Sequence, residues 1–308
     1  MTNETNIELI PLTPIGSGER ADVAVPAIPA SRTNSDCPTC AGAATAAQPS
    51  GSPSSFIYVL GRIEPRFPKL SVEKEFAQAT GRAQTQGLTD RQAMHLVLSR
   101  PENRYLVRQL CWVLTVEGID TYLLVPRDPS EIGLLIEALR PEPHDSDIDL
   151  VIGSRGPIAR PEFCNGLTVP IVAFDQIYPF DIKTLVTALK PPHGTSAETF
   201  TPIAEEVLAR IRLLSDNHGA TPGHRALNYL AVRYPAVYAL TVEKLFQNCA
   251  LTSIDVRPSS LSATRNIVEV ILAYTNRATD VAEKHFIRVD VTDEFPFLVT
   301  KLSPYFDR

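Results

Sequence analysis

The chain has 308 residues, 44% hydrophobic and 21% charged, which is length and apolar content enough for two cores of ordinary size. Its formal net charge is −6 and its pI about 5.6, so no overall positive field exists to hold a phosphate backbone, and nucleic acid is not an expected partner. No window nears the roughly 18 apolar residues of a membrane span, and Met1-Thr2-Asn3-Glu4-Thr5 has neither the basic start nor the apolar core of a secretory signal, which makes the cytoplasm the expected location.

Residues 1–54 contain no Phe, Trp or Tyr, seven of the 26 prolines, and the small-residue run Ala41 to Ala47. Such a segment buries too little apolar surface to offset the entropy of ordering it, so a disordered tail is expected. The folded chain should begin at the apolar run Phe56 to Leu60, read as a strand. Helices are expected near 71–80, 89–99 and 102–114, the last because Tyr105, Leu106, Gln109, Leu110, Val113 and Leu114 recur at helical spacing. A strand at 121–125 stops at Pro126, and Ile132, Leu135, Ile136 and Leu139 mark a helix at 129–139. Strands follow at 148–153 and 168–174, with a turn at Asn165-Gly166, where both residues tolerate positive φ. A helix at 181–189 completes a mixed α/β domain over 55–190.

Lys190-Pro191-Pro192-His193-Gly194 ends the helical pattern, so 191–199 reads as a linker. Beyond it, Ile203, Val207, Leu208, Ile211 and Leu214 form a helical stripe. Thr221-Pro222 supplies an N-cap and a proline at N1 for a helix reaching about Tyr234, and Pro235 restarts the helix. Strands at 252–257, 266–275 and 284–291 follow, with Val268, Val270, Leu272 and Tyr274 on one face. Helices before strands imply an α+β domain over 200–308. The fold class is therefore mixed α/β and α+β in two small domains after a disordered N-terminal tail.

Several segments carry a resemblance: Phe56 to Gly61 with Arg62-Ile63-Glu64-Pro65-Arg66-Phe67-Pro68, Arg104 to Leu114 followed by Thr121-Tyr122, Pro170-Ile171-Val172, Pro222 to Tyr229, and Phe286 to Asp293. Together they resemble the region C-terminal to the subtilisin-like protease in the PatA/PatG family of cyanobactin maturation proteins. The resemblance spans roughly 55–308. It implies a role in maturing a ribosomally made peptide, with a precursor peptide and a subtilisin-like protease or other tailoring enzyme as partners. None of the protease's Ser, His and Asp maps onto these residues and there is no Gly-x-Ser-x-Gly elbow, so the expectation is a free-standing, non-catalytic accessory or assembly protein that lacks the protease domain. Self-association is left open.

Cys37-Pro38-Thr39-Cys40 is the sharpest local motif. Two thiolates at this spacing grip one tetrahedral ion such as zinc, which supports an alternative reading as a zinc-dependent enzyme; the same spacing serves thiol redox chemistry, or no chemistry in a linker. Five cysteines, unevenly spaced, argue against a disulfide framework. Cys111 reads as a buried helix residue beside Trp112, and Cys164 and Cys249 as packing residues. Asp145, Asp147 and Asp149 lack the glycine and final carboxylate of a calcium loop and read as solvent-facing acids at a strand entrance, with Ile148, Leu150 and Ile152 inward. Gly153-Ser154-Arg155-Gly156 reads as a β-turn, and His285 as a histidine at the edge of a core. Arg62, Glu64 and Arg66, followed by Glu73 and Glu75, form a charged group beside apolar residues, a candidate peptide or partner groove. His224 and Arg225, in the first turn of a helix, are a second candidate contact.

Overall fold

The computed structural model describes residues 56–83, 85–189, 191, 194–213, 217–260 and 264–306. The expected tail, with Cys37 and Cys40, lies outside them. The first half is a closed five-stranded barrel. Its strands are β1 (Phe56–Arg66), β2 (Cys111–Val116), β3 (Ile119–Pro126), β4 (Asp147–Ile158) and β5 (Pro170–Asp181), in the order β1-β2-β3-β5-β4. All pairings are antiparallel except β3 with β5. This is the Greek-key order of OB-type barrels. Between β1 and β2 lie α1 (Leu70–Arg82), α2 (Asp90–Leu98) and α3 (Arg104–Gln109), and α4 (Gly133–Leu139) joins β3 to β4.

Period-two alternation fills the barrel: Ile57, Val59 and Ile63 of β1, Trp112 and Leu114 of β2, and Val151 of β4 belong to one buried cluster, which the helices α1 to α4 extend. Gly153 permits the closure of β4 on β5, because a Cβ there would lie 2.3 Å from the Ala173 carbonyl oxygen.

The second half comprises α5 (Ile182–Ala188), α6 (Ala197–Arg212), α7 (Pro222–Arg233) and α8 (Ala236–Phe246), then an antiparallel sheet of β6 (Cys249–Pro258), β7 (Ile267–Asn276), β8 (Ala282–Asp290) and β9 (Phe297–Tyr305). Thr221 accepts a hydrogen bond from the His224 N–H and Pro222 opens α7, as its sequence predicts. Val268, Val270, Leu272 and Tyr274 face the helices. They share a core with Tyr58 and Leu60 of β1 and with Ile148, Leu150 and Ile152 of β4, so the outer face of two barrel strands is buried against the second half. No described helix is long and apolar enough to cross a membrane.

The structure departs from the sequence reading at several points. The helix expected over 102–114 ends at Gln109, and Cys111–Val116 is a strand; Trp112 and Leu114 point into the barrel while Cys111 and Val113 point out, so alternation and helical spacing both fit the same apolar run. Cys111 is therefore not a helix residue, and it forms a disulfide with Cys164, where the sequence reads the two as separate packing residues. Residues 153–156 lie within β4 rather than in a turn. A fourth C-terminal strand, β9, was not expected. Asp147 and Asp149 are 7% and 0% exposed rather than solvent-facing, because β4 is buried on both faces.

Those acids anchor the end of the barrel. Asp149 accepts the Ile63 N–H at 2.9 Å and pairs with Arg140 at 2.9 Å, while Arg140 also donates to the Ile148 carbonyl at 2.8 Å. Burial pushes the Asp149 carboxyl up, opposed by Arg140 and the Ile63 N–H. Arg91 of α2 donates to the carbonyls of Ile63, Ala138 and Leu139, tying α2 and α4 to β1. Removing one partner from a buried pair leaves the other charge stranded. Asp149→Ala should thus cost about 3–5 kcal/mol in urea unfolding, whereas Glu73→Ala, on the exposed face of α1, should stay within about 0.5 kcal/mol.

Candidate functional site

The charged group expected along 62–75 divides between two elements. Arg62, Glu64 and Arg66 alternate along the last turns of the β1 ladder, on one side of the strand. Arg66 is fixed by a two-pronged pair with Asp120 of β3, both N···O distances 2.6 Å, and lies 3.6 Å from Glu64. The hydrogen bond to Asp120 raises the Arg66 pKa first, so this cation stays charged at any relevant pH. Glu73 and Glu75 lie on α1, Glu73 exposed and Glu75 hydrogen-bonded to Tyr105, whose hydroxyl pKa that bond raises. Phe67, immediately after Arg66, packs its ring against Phe76 of α1 at 5.4 Å.

Beside Arg66 and Phe67 opens a cleft of about 320 Å³, whose other wall is Cys164, Asn165, Gly166 and Leu167 from the β4–β5 loop. This loop folds back across the outside of β2 and β3. Ala159, Cys164, Leu167 and Val169 pack there with Cys111, Val113, Leu123 and Ile171. The expected turn is present: Asn165 and Gly166 take φ of 45° and 90°, and the Gly166 N–H reaches the Pro161 carbonyl at 2.7 Å. The Cys111–Cys164 disulfide, with Cα atoms 5.8 Å apart, fastens the loop to β2. The cleft thus has a mixed lining, with Phe67 and Leu167 as its apolar side chains and a rim where one arginine is balanced by two carboxylates. Its lining residues, Arg66, Phe67, Cys164, Asn165, Gly166 and Leu167, include no nucleophile and base pair of the kind hydrolysis needs.

His224 and Arg225 sit at the other end of β1, roughly 30 Å away along a strand of this length. His224 places its ring edge-on to His218, centroids 5.0 Å apart. Arg225, a candidate contact in the sequence, is instead 0% exposed. It lies over the Phe56 ring at 5.7 Å and donates to the carbonyls of Val291, Asp293 and Glu294. Burial lowers its pKa to about 10, still well above neutral, so it is an internal cation that organises the 291–294 backbone. The two groups of candidate residues therefore form no common surface.

Phe67, Cys164 and Leu167 line the cleft, and Asp120 and Cys111 hold its walls in place, without having been singled out together in the sequence. Asp120 meets Arg66 from β3, across the intervening β2, and Cys111 is paired with a residue 53 positions on; neither link has a local signature. The zinc reading of Cys37 and Cys40 falls outside the described residues, among which no group of three or more His, Cys, Asp or Glu is arranged to hold a metal.

A family model described as "PatG Domain" matches residues 56–241, and one described as "PatG C-terminal" matches residues 194–305. A solved structure titled "PatG Domain of Unknown Function" has a TM-score of 0.64 at 20% identity, over 82% of this chain and 99% of that one; at this identity the likeness is one of fold. No curated protein matches.

Because the disulfide fastens the loop that walls the cleft, Cys111→Ser should lower stability by about 2–4 kcal/mol and raise hydrogen exchange over 159–169. Unchanged exchange in that loop would show that apolar packing alone holds it.

Proposed function

The chain belongs to the PatG-domain family, and from that premise we propose that it is a non-catalytic accessory protein that binds a ribosomally made precursor peptide and presents it to a separate subtilisin-like protease or other tailoring enzyme in the cytoplasm. The observation that supports this reading is the cleft between Arg66, Phe67 and the disulfide-fastened β4–β5 loop. It lies beside the β2–β3 face, where OB-type barrels receive extended ligands, and its volume suits a few side chains of a peptide. The net charge of −6 disfavours the nucleic-acid ligands of many such barrels. In a reducing compartment a disulfide is uncommon; Cys111 and Cys164 are each 3% exposed, which shields the bond from soluble thiols.

Arg66 would align the peptide through its charge and Phe67 through apolar contact, with Asp120 and Glu64 keeping the guanidinium in place. A fluorescently labelled precursor peptide, titrated with the full chain, should show saturable anisotropy, and Arg66→Ala with Phe67→Ala should weaken it at least about tenfold, or roughly 1.4 kcal/mol. Binding unaffected by both changes would remove the cleft from the account. Peptide hydrolysis by the clean protein, dependent on zinc and lost with Cys37→Ser, would replace the accessory reading with the enzymatic one.

A further inference from the structure

Asp175 of β5 and Glu294 of the 291–296 connection, between β8 and β9, meet where the second half lies against the barrel. Their side chains are 22% and 15% exposed. Arg127, just past β3, brings Nη2 within 2.8 Å of Asp175 Oδ2 and 3.6 Å of Glu294 Oε1, yet it aims its hydrogen bond at Ser154 Oγ, 2.5 Å away. Asp175 Oδ2 and Glu294 Oε1 are both closed off from solvent, and although both lie within ion-pair reach of Arg127, no protein N–H or O–H is aligned on either. Two buried carboxylate oxygens that share one misaligned cation are costly. A single proton removes the deficit for both: one carboxyl becomes an acid whose O–H donates to the other.

The remaining charged groups around them leave room for one proton. Arg225 approaches from α7, and three of its N–H bonds go to the carbonyls of Val291, Asp293 and Glu294. Asp293 precedes Glu294 on the same connection, and Asp290 at the end of β8 is taken by Arg265. Two cations, Arg127 and Arg225, thus face Asp175, Glu294 and Asp293.

We propose that Asp175 and Glu294 hold one proton between them and form a latch that fastens the 291–296 connection to the barrel and opens when that proton is lost. Opening transfers the proton from the shared carboxyl to water or a buffer base, leaving two adjacent carboxylates that repel. The Arg225 bonds to the same backbone persist, so the movement is confined to the connection. Burial first, then the hydrogen bond to Asp175 and its charge, push the Glu294 carboxyl up to about 7, with Arg127 and Arg225 opposing. Since the unfolded group titrates near 4.5, the stabilisation is complete below that pH and is lost as pH rises through about 7.

Hydrogen exchange of the full chain, corrected for the intrinsic pH dependence of exchange, tests the latch. Between about pH 6 and pH 8.5, protection over 291–296 should fall about tenfold in the wild type. In Glu294→Gln the amide donates to Asp175 without titrating, so protection should stay level across the same range. Equal losses in both proteins, or no loss in the wild type, would overturn the proposal. The wild type alone gives a second readout by infrared spectroscopy: a protonated carboxyl band present at about pH 6 and gone by about pH 8.5 is expected, and its absence at the lower pH would also overturn it.

Discussion

The fold depends on how one half of one strand is satisfied. β1 pairs with β4 through Phe56 to Gly61, but with β2 only from Arg62 onward. On the β2 side, the Tyr58 N–H and C=O would be left bare in a buried position, at a cost comparable to lost hydrogen bonds. The second half supplies both partners. The Gly219 carbonyl accepts the Tyr58 N–H at 3.0 Å, and Asn228 of α7, 1% exposed, donates to the Tyr58 carbonyl at 2.8 Å. Asn217 holds the Asn228 amide in that orientation at 2.7 Å. Only glycine serves at position 219, where φ is +70° and a Cβ would sit 2.5 Å from that of Val59.

This edge makes β1 the strand on which both halves converge, and its two ends then have different neighbours. At Phe56 it touches Arg225, which gathers the 291–294 backbone; Glu294 of that same connection faces Asp175 of β5 across Arg127. At Arg66 it reaches Asp120 and the β4–β5 loop, and the cleft opens. A shift of β1 within the barrel would disturb both places, because packed interiors transmit displacement rather than absorb it.

Much of the fold was legible in the sequence where periodicity and punctuation agree. Thr221-Pro222 marked the start of α7, Pro235 its restart as α8, and Asn165-Gly166 the turn, each through backbone chemistry that acts locally. Alternation misled where a strand is buried on both faces: in β4, Asp147 and Asp149 read as the wet face, whereas Arg140 from another element neutralises them inside. In Arg104 to Leu114, apolar residues at helical spacing concealed a strand that alternates between barrel core and loop cover. The site residues were legible singly and not in combination. Arg66 stood out as part of a charged group beside apolar residues, but the partners that Asp120, Cys164 and Glu294 meet are set by the tertiary arrangement, which no local pattern carries. Arg225 looked like a surface cation because no local pattern announces that three backbone carbonyls will receive it.

If the second half completes the barrel, the two unfold together. Trp112, the sole tryptophan, lies in the barrel and reports on that half, while far-ultraviolet circular dichroism reports on the whole chain. In urea, the two signals should trace one coincident transition, and Asn228→Leu, which strips the donor from the Tyr58 carbonyl, should move both midpoints down together. A Trp112 midpoint that stays in place while the dichroism midpoint falls would show that the barrel closes without the second half, and would contradict the account.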